Sequence, residues 1–544
     1  LSVARAPLLW ILVPFAAGIV LSRVLAHASP LLAVLLGLIP VLASLFFWRG
    51  NTRRSLALWS LCVVASALFF GLAWGSVRLL DRQEDRVGLP LREAVLVLRV
   101  ERVFPTDRWG RTSGVARVVE APPLLNVLQG QGTTFRIKDA GPILEGGQYR
   151  VKGLLRRNAL DAPAGSFASW LDQNEVYYDL SRVKVLEALA PPPPWKQSLQ
   201  DLRARLAVAL TAGSDKRPEI RAMLSAMFLG ERQLLSPDAK DVFRTTGMMH
   251  LFAVSGLHVG LVALTIEGLL ALLRMRRRER VLVGLIILMA YVAVIGATPS
   301  AVRAFIMLFF YRMGQLWGRP ARGLPALVAS AIAVLIWEPQ QLFDVGARLS
   351  YGIVAGILLY GIPLGEVLRV RLPLYEYLPP GDHGPWRRGV IRARDWFCSG
   401  MGACLGAFLI GAPLSIQYFG VFAPGSLLLN LFLVPAALLC VMAATLSAGL
   451  FMLSALPWLT WLEAGSQFLN HAGWLCAWLM HGVIGGTAKL GFLFWKCEFP
   501  AEWTGSFVAL MLLLAALALN APSLSWRLRW RLMPLATLFA VAGA

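Results

Sequence analysis

Apolar runs of membrane-helix length, parted by short basic connections, set the pattern of this chain, and one polar stretch interrupts it. Three runs, near 7–26, 31–48 and 56–77, open the sequence. Residues 80–190 then lose the long runs. Alternation of apolar and polar positions predicts strands at 94–104, 112–120, 133–139, 147–156 and 176–186, with turns at Gly130-Gln131-Gly132 and Gly146-Gly147. Five strands in that length fit a small barrel of the oligonucleotide-binding (OB) type. Pro191 to Pro194 form a stiff linker, and an amphipathic helix at 195–211, suited to a membrane surface, and a short helix at 217–229 follow. Spans are expected at 248–273, 281–297, 300–316, 324–337, 346–366, 397–417, 426–453 and 505–520. The Trp-rich stretch 457–482 fits either a crossing or an interfacial belt. The last apolar stretch, 533–544, is too short to span, so the expectation is a chain that stops within a helix, with sequence missing downstream.

The fold class expected is therefore a polytopic α-helical membrane protein with an inserted extracytoplasmic small β-barrel. Its parts are N-terminal transmembrane helices (1–79), the β domain (80–190), a linker with interfacial helices (191–246) and a transmembrane domain (247–544). Basic clusters at 49–54, 274–280, 319–322 and 387–394 fall on alternate connections. Assigned to the cytoplasm, they put the N-terminus inside and the β domain outside. Arg527, Arg529 and Arg531 keep that parity only if 457–482 crosses.

Composition agrees: 57% of the residues are hydrophobic and only 15% charged, which excludes a soluble globule. The formal charge of +21 is explained first by the basic loops and only second by a nucleic-acid footprint. Six cysteines without a CxxC pair give neither a zinc site nor a disulfide framework. Arg5, the run to Leu25 and Ala26-His27-Ala28 resemble a secretory signal, but the next apolar run starts at once, which favours a retained hairpin.

Candidate chemistry concentrates in 247–262, where His250, Ser255, Gly256 and His258 interrupt an apolar segment. Polar groups in hydrocarbon persist where they line a cavity, a path or a tight helix contact. Ser255 and His258 stand one turn apart, but a hydrolytic nucleophile and base usually come from different elements. Packing by Ser255 and Gly256, with His258 bonding across helices, is the plainer reading. His250, His258 and Glu267 offer metal-ligand types without sufficient clustering. No GxxxxGK[ST] loop is present, and no metal, cofactor or catalytic residue is assigned. In the β domain Trp109, Tyr149, Tyr177 and Tyr178 are candidates for stacking on bases, against an ordinary role in the barrel core.

The polar domain and the central region together resemble the ComEC family of DNA-uptake channels. Residues 222–262, ending in His-Leu-Phe-Ala-Val-Ser-Gly-Leu-His-Val-Gly, are similar to the family's strongest block. Residues 161–171 look like its Pro-Gly-x-Phe-Asp signature, with Ala168 where the Asp stands. Ser300-Ala301-Val302-Arg303-Ala304 is like its Ser-x-x-Arg-Ala element, and 341–351 resembles Phe-Gln-Leu-Ser-Phe with Arg348 replacing the Gln. Pro413 to Phe419 and Asn430 to Pro435 resemble two further elements. The His-x-His-x-Asp-His motif of the metallo-β-lactamase-like domain found in many members does not occur.

The resemblance implies passage of single-stranded DNA through the inner membrane during natural transformation. Its partners would be the strand, the bilayer, a periplasmic DNA receptor and cytosolic translocation or strand-binding proteins. His250, Ser255, Gly256, His258, Arg303, Asp344 and Arg348 are the positions expected to line or shape the path. The histidines and serine would supply polar lining, the arginines would offset phosphate charge, and Asp344 would orient an arginine. The rival reading is a transporter or flippase for an amphipathic lipid or glycan precursor, which would share basic loops and broken helices.

Overall fold

The computed structural model describes residues 7–25, 29–47, 52–84, 89–104, 111–138, 143–158, 168, 171–172, 174–214, 217–319, 322–374 and 384–520. The chain divides into two compact units: Trp10–Leu202 with Leu335–Val345, and Leu1–Leu9 with Arg203–Val334 and Gly346–Ala544.

The first unit opens with helices α1 (Leu9–Val24), α2 (Pro30–Phe47) and α3 (Arg53–Glu84). Pro30–Phe47 and Arg54–Arg78 are long and apolar enough to cross a membrane. Small residues let α1 and α3 touch backbone to backbone. A Cβ on Gly18 would sit 2.1 Å from the Leu68 carbonyl oxygen, and one on Gly71 would sit 2.1 Å from that of Phe15. Gly71 and Gly75 on one helix, facing Gly18 and Ser22 on the other, form the small-xxx-small seam that holds helices together where no hydrophobic effect can. The connection 335–345 is tied to these helices: the Arg23 guanidinium lies 3.4 Å from the Phe343 ring centroid, and Arg78 donates to the Trp337 carbonyl.

Strands β1 (Arg92–Phe104), β2 (Arg111–Glu120), β3 (Gly132–Lys138), β4 (Gln148–Arg157) and β5 (Val176–Ala190) close into a barrel in the order β1-β2-β3-β5-β4. Every pairing is antiparallel except β3 with β5, where Phe135 faces Leu180 in parallel register. Alternation puts Leu96, Leu98, Val100, Phe135, Val151, Leu155 and Leu180 into one core. The predicted strands differ from the observed ones chiefly at the end of β5, which runs on to Ala190 along β4.

The second unit is helical. It holds α4 from Arg203 on (Pro194–Thr211 in full), α5 (Pro218–Leu229), α6 (Pro237–Thr245), α7 (Gly256–Leu272), α8 (Arg277–Val294) and α9 (Pro299–Leu316). Then come α10 (Gly323–Trp337), α11 (Val345–Gly356), a π-turn (Ile357–Gly361), α12 (Ile362–Arg371) and α13 (Pro385–Phe419). The strand β6 (Val421–Phe422), α14 (Gly425–Ser454), α15 (Leu462–Ala488), β7 (Trp495–Lys496) and α16 (Thr504–Leu519) complete it. Val345–Arg371, Pro385–Phe419 and Gly425–Ser454 also meet the length and apolarity of a membrane span. Five such helices among the described residues make this a multi-pass membrane protein.

A second glycine seam joins the α11–α12 rod to α13. A Cβ on Gly402 would lie 2.5 Å from both Gly361 O and Gly365 N, and one on Gly406 would lie 2.7 Å from Gly356 O. Within the stretch 457–482 the helix α15 starts at Leu462, after turns at 457–461, and packs along α14. Ser447 meets Ser466 and Asn470 while Cys440 meets Gly473, so the two helices run antiparallel. β7 then pairs with β6, bringing the end of α15 back beside the start of α14.

Candidate functional site

The expected continuous span 248–273 is broken. Met249–Phe252 form a 3-10 turn, Ala253 is extended, and α7 starts only at Gly256. The reason is local. Ser255 is extended and acts as N-cap, and its backbone N–H donates to His258 Nδ1 at 3.3 Å while its Oγ lies 2.9 Å from the same nitrogen. Histidine here fills the place that Glu or Gln takes in a capping box. Because Nδ1 accepts from Ser255 N–H, the proton of the neutral ring belongs on Nε2. Nε2 is buried without a hydrogen bond of good geometry, near the Leu251 carbonyl. The expectation that His258 bonds across helices is thereby corrected: it bonds within its own helix cap.

His250 sits in the 3-10 turn, its Nδ1 2.9 Å from Gly247 O, which the positive φ (+71°) of Gly247 turns toward it. His250 is exposed as a residue, and Asn430 of α14 lies beside its ring. The segment is clamped to α9: Ser300 Oγ donates to Val254 O at 2.7 Å, and a Cβ on Gly256 would meet Ala304 at 3.5 Å. Between those two contacts stands Arg303, buried with 4% exposure and facing Tyr351 of α11. His250, Ser255, Gly256, His258 and Arg303 thus share one neighbourhood. Arg348, one turn before Tyr351, reaches elsewhere, with Nη1 donating to Tyr418 Oη at 2.7 Å and to Ser506 Oγ at 3.3 Å. It therefore ties α11 to α13 and α16. Asp344, in the other unit, closes the turn before α11, with its N–H on Gln341 O.

In the β domain Tyr177 and Tyr178 lie in the barrel core with 6% and 2% exposure, so neither offers a ring face to a base. Tyr149 is half-buried and its hydroxyl accepts from Leu144 N–H. Trp109 and most of the 161–171 motif lie outside the described residues.

Arg312 of α9 grips Glu267 of α7 with two nitrogens, Nη1 on Oε1 at 3.0 Å and Nη2 on Oε2, while Arg280 Nε stands 4.0 Å from Oε1. Glu267 is therefore committed to arginine, and among the described residues no three His, Cys, Asp or Glu gather as metal ligands. Glu267 was visible as an intramembrane carboxylate. Its partner is 45 residues on and had no signal of its own.

Residues 227–522, just over half the chain, match the family model described as Competence protein. Over 233 residues the chain is 27% identical to ComE operon protein 3 of Bacillus subtilis, covering 41% of this chain and 30% of that one. It is 31% identical over 144 residues to competence protein ComA of Neisseria gonorrhoeae, covering 25% of this chain and 21% of that one. An uncharacterized protein of Escherichia coli, YcaI, is 27% identical over 256 residues, 46% of this chain and 31% of that one. These alignments span less than a third of each relative's length. No solved structure matches. Fold and site define a polytopic membrane protein with a closed β-barrel and, within its helical unit, a broken, histidine-capped helix. The chain belongs to the ComEC-type competence protein family.

Proposed function

We propose that this protein is an inner-membrane channel that conducts single-stranded DNA into the cytoplasm during natural transformation. The observation that carries the reading is the break at 253–255, inside the family's matched region, with His250 before it and the buried Arg303 packed beside it. Non-helical backbone at membrane depth is stable only where protein covers it or water reaches it. A polyanion needs such an opening in the helical wall, since water and fixed cations must replace its bulk solvation. Arg303 and Arg348 supply cationic charge near the path.

The barrel serves as an extracytoplasmic OB-like domain. Its strand order, with β3 parallel to β5, supports that assignment. In such barrels the β1–β2 and β4–β5 loops approach the strand. Here those are 105–110, with Trp109, and 158–175, with the 161–171 motif. The N-terminus lies in the cytoplasm, a periplasmic receptor delivers the strand, and cytosolic translocation or strand-binding proteins draw it in.

The test is uptake of labelled DNA into the cytosol of cells carrying His258→Ala at normal protein abundance. Truncation removes the acceptor that holds Ser255 and frees the entry of α7. DNA held outside the inner membrane is the expected result. Normal uptake by this variant, with uptake lost on deletion, moves the path away from 247–262. Intact uptake on deletion makes the lipid or glycan transporter the leading reading.

A further inference from the structure

The hairpin of α7 and α8 carries a basic tip on an apolar stem, and neither the break at 253–255 nor the Glu267–Arg312 pair uses that tip. α7 and α9 run parallel, since Ser300 meets Val254 where they begin and Arg312 meets Glu267 near their ends. Arg280, near the start of α8, stands 4.0 Å from the same carboxylate. The connection from α7 to α8 and the one that follows α9 therefore leave the bundle on one side.

Arg274, Arg276, Arg277 and Arg278 at the first connection are exposed, and so is Arg319 at the second. The turn is tight: Arg274 has a φ of +54°, and α8 begins at Arg277. Four guanidinium groups within five residues repel one another unless an anion lies among them. Glu279 is the only carboxylate in 272–280. It is turned onto its own helix, where it accepts from Arg276 N–H at 3.3 Å. The cluster is thus left positive toward its surroundings.

Apolar side chains are exposed right up to these arginines. Leu272 and Leu273 are 80% and 72% exposed, and Trp317 stands equally open at the second connection. Leu264 lower on α7 is exposed too, as are Leu282, Ile286 and Met289, which recur every three to four residues down one face of α8. Water is a poor partner for so much contiguous apolar surface, whereas acyl chains cover it without cost. A phosphate polymer or an acidic protein would meet the arginines and leave the leucines bare. A molecule with an anionic head and a hydrocarbon tail meets both.

We propose that the α7–α8 hairpin is a binding site for an anionic phospholipid. The phosphate rests among Arg274, Arg277 and Arg278, and the acyl chains lie against the exposed leucines and isoleucine of the stem. The site stands on these residues alone and does not depend on the channel reading.

The test uses the full chain in nanodiscs of phosphatidylcholine and phosphatidylglycerol in equal parts, with the lipids that stay bound on release counted by native mass spectrometry. The wild type is expected to retain phosphatidylglycerol over phosphatidylcholine. An arginine beside an anionic surface contributes about fivefold in affinity, so Arg274→Gln, Arg277→Gln and Arg278→Gln together should cut that preference at least about tenfold. Arg274→Lys with Arg277→Lys and Arg278→Lys should preserve it. Arg387→Gln, Arg388→Gln and Arg392→Gln, which remove as much charge from another basic cluster, should leave it unchanged. No preference in the wild type, the behaviour of annular lipid only, or an equal loss in the two glutamine variants overturns the site. Release of the bound lipid by an oligothymidine probe also overturns it, because the arginines then belong to nucleic acid.

Discussion

Removing the Glu267 carboxylate should destabilise the α7–α9 contact by about 2–3 kcal/mol. The perturbation is Glu267→Gln, which keeps the side chain's size and leaves Arg312 without a counter-ion. Two parallel contacts join the pair, and the side chains are only 18% and 27% exposed. Exposed pairs contribute up to about 1 kcal/mol, and breaking a buried pair costs about 3–5 kcal/mol, so this half-buried bidentate pair falls between. Arg280, the second cation near Oε1, adds to the charge left uncompensated. The assay is a double-mutant cycle with Arg312→Met, read as the shift in the unfolding midpoint of purified protein in a fixed detergent. Arg312→Met alone should cost a comparable amount, and the double variant should cost less than the sum of the two singles. A coupling energy under about 0.5 kcal/mol would refute the reasoning, because the pair would then behave as a solvated surface bridge.

Gly402→Val should cost at least about 2 kcal/mol, because its Cβ would collide with the backbone at Gly361 and Gly365; loss of folded protein in detergent chromatography checks this. Arg348→Ala leaves Tyr418 and Ser506 bonded only to each other in this network and should reduce DNA uptake about tenfold at normal abundance, with unchanged uptake removing Arg348 from the path. Burial raises the Glu231 carboxyl above its ordinary 4.5, and Arg203 at 3.5 Å only partly opposes this. The folded state then holds this proton more tightly than the unfolded state. Its contribution is favourable in acid and is lost as pH rises from about 4.5 through the raised value. Glu231→Gln should flatten that part of the stability profile, which a midpoint series from pH 4 to pH 8 would show.

How much of this was legible depended on the range of the interaction. Strands announce themselves by local alternation, and all five barrel strands were placed to within a few residues. The seams of Gly71 with Gly75 and Gly402 with Gly406 are written in the sequence as glycines four apart, a local signal that carries no charge and little hydropathy. The break before Gly256 was harder to read. Residues 248–272 are apolar on average, and hydropathy cannot see that a histidine three residues after Ser255 serves as a capping-box acceptor. Tyr177 and Tyr178 show the converse: β-strand alternation predicts one inward ring, but the shifted register between Gly132 and Thr133 on the partner strand accompanies two buried ones. Arg312, Tyr418 and Ser506 became partners only through helix packing, which no local pattern encodes.

The closed barrel constrains how any other molecule can address it. An open sheet can be extended by an incoming strand, whose backbone then supplies generic affinity. With β4 bonded to β1 and β3 to β5, the barrel's ladder has no such edge to offer. Whatever docks there must be recognised by side chains and loops alone, so selectivity can drift quickly with loop sequence while the scaffold stays fixed. Closure also orders assembly in time. β3 waits for β5, some forty residues later in the chain, before its second edge is satisfied. Until Val176–Ala190 has been delivered, β3 and β4 are the exposed edges on which a folding chaperone, or a misfolding neighbour, would act.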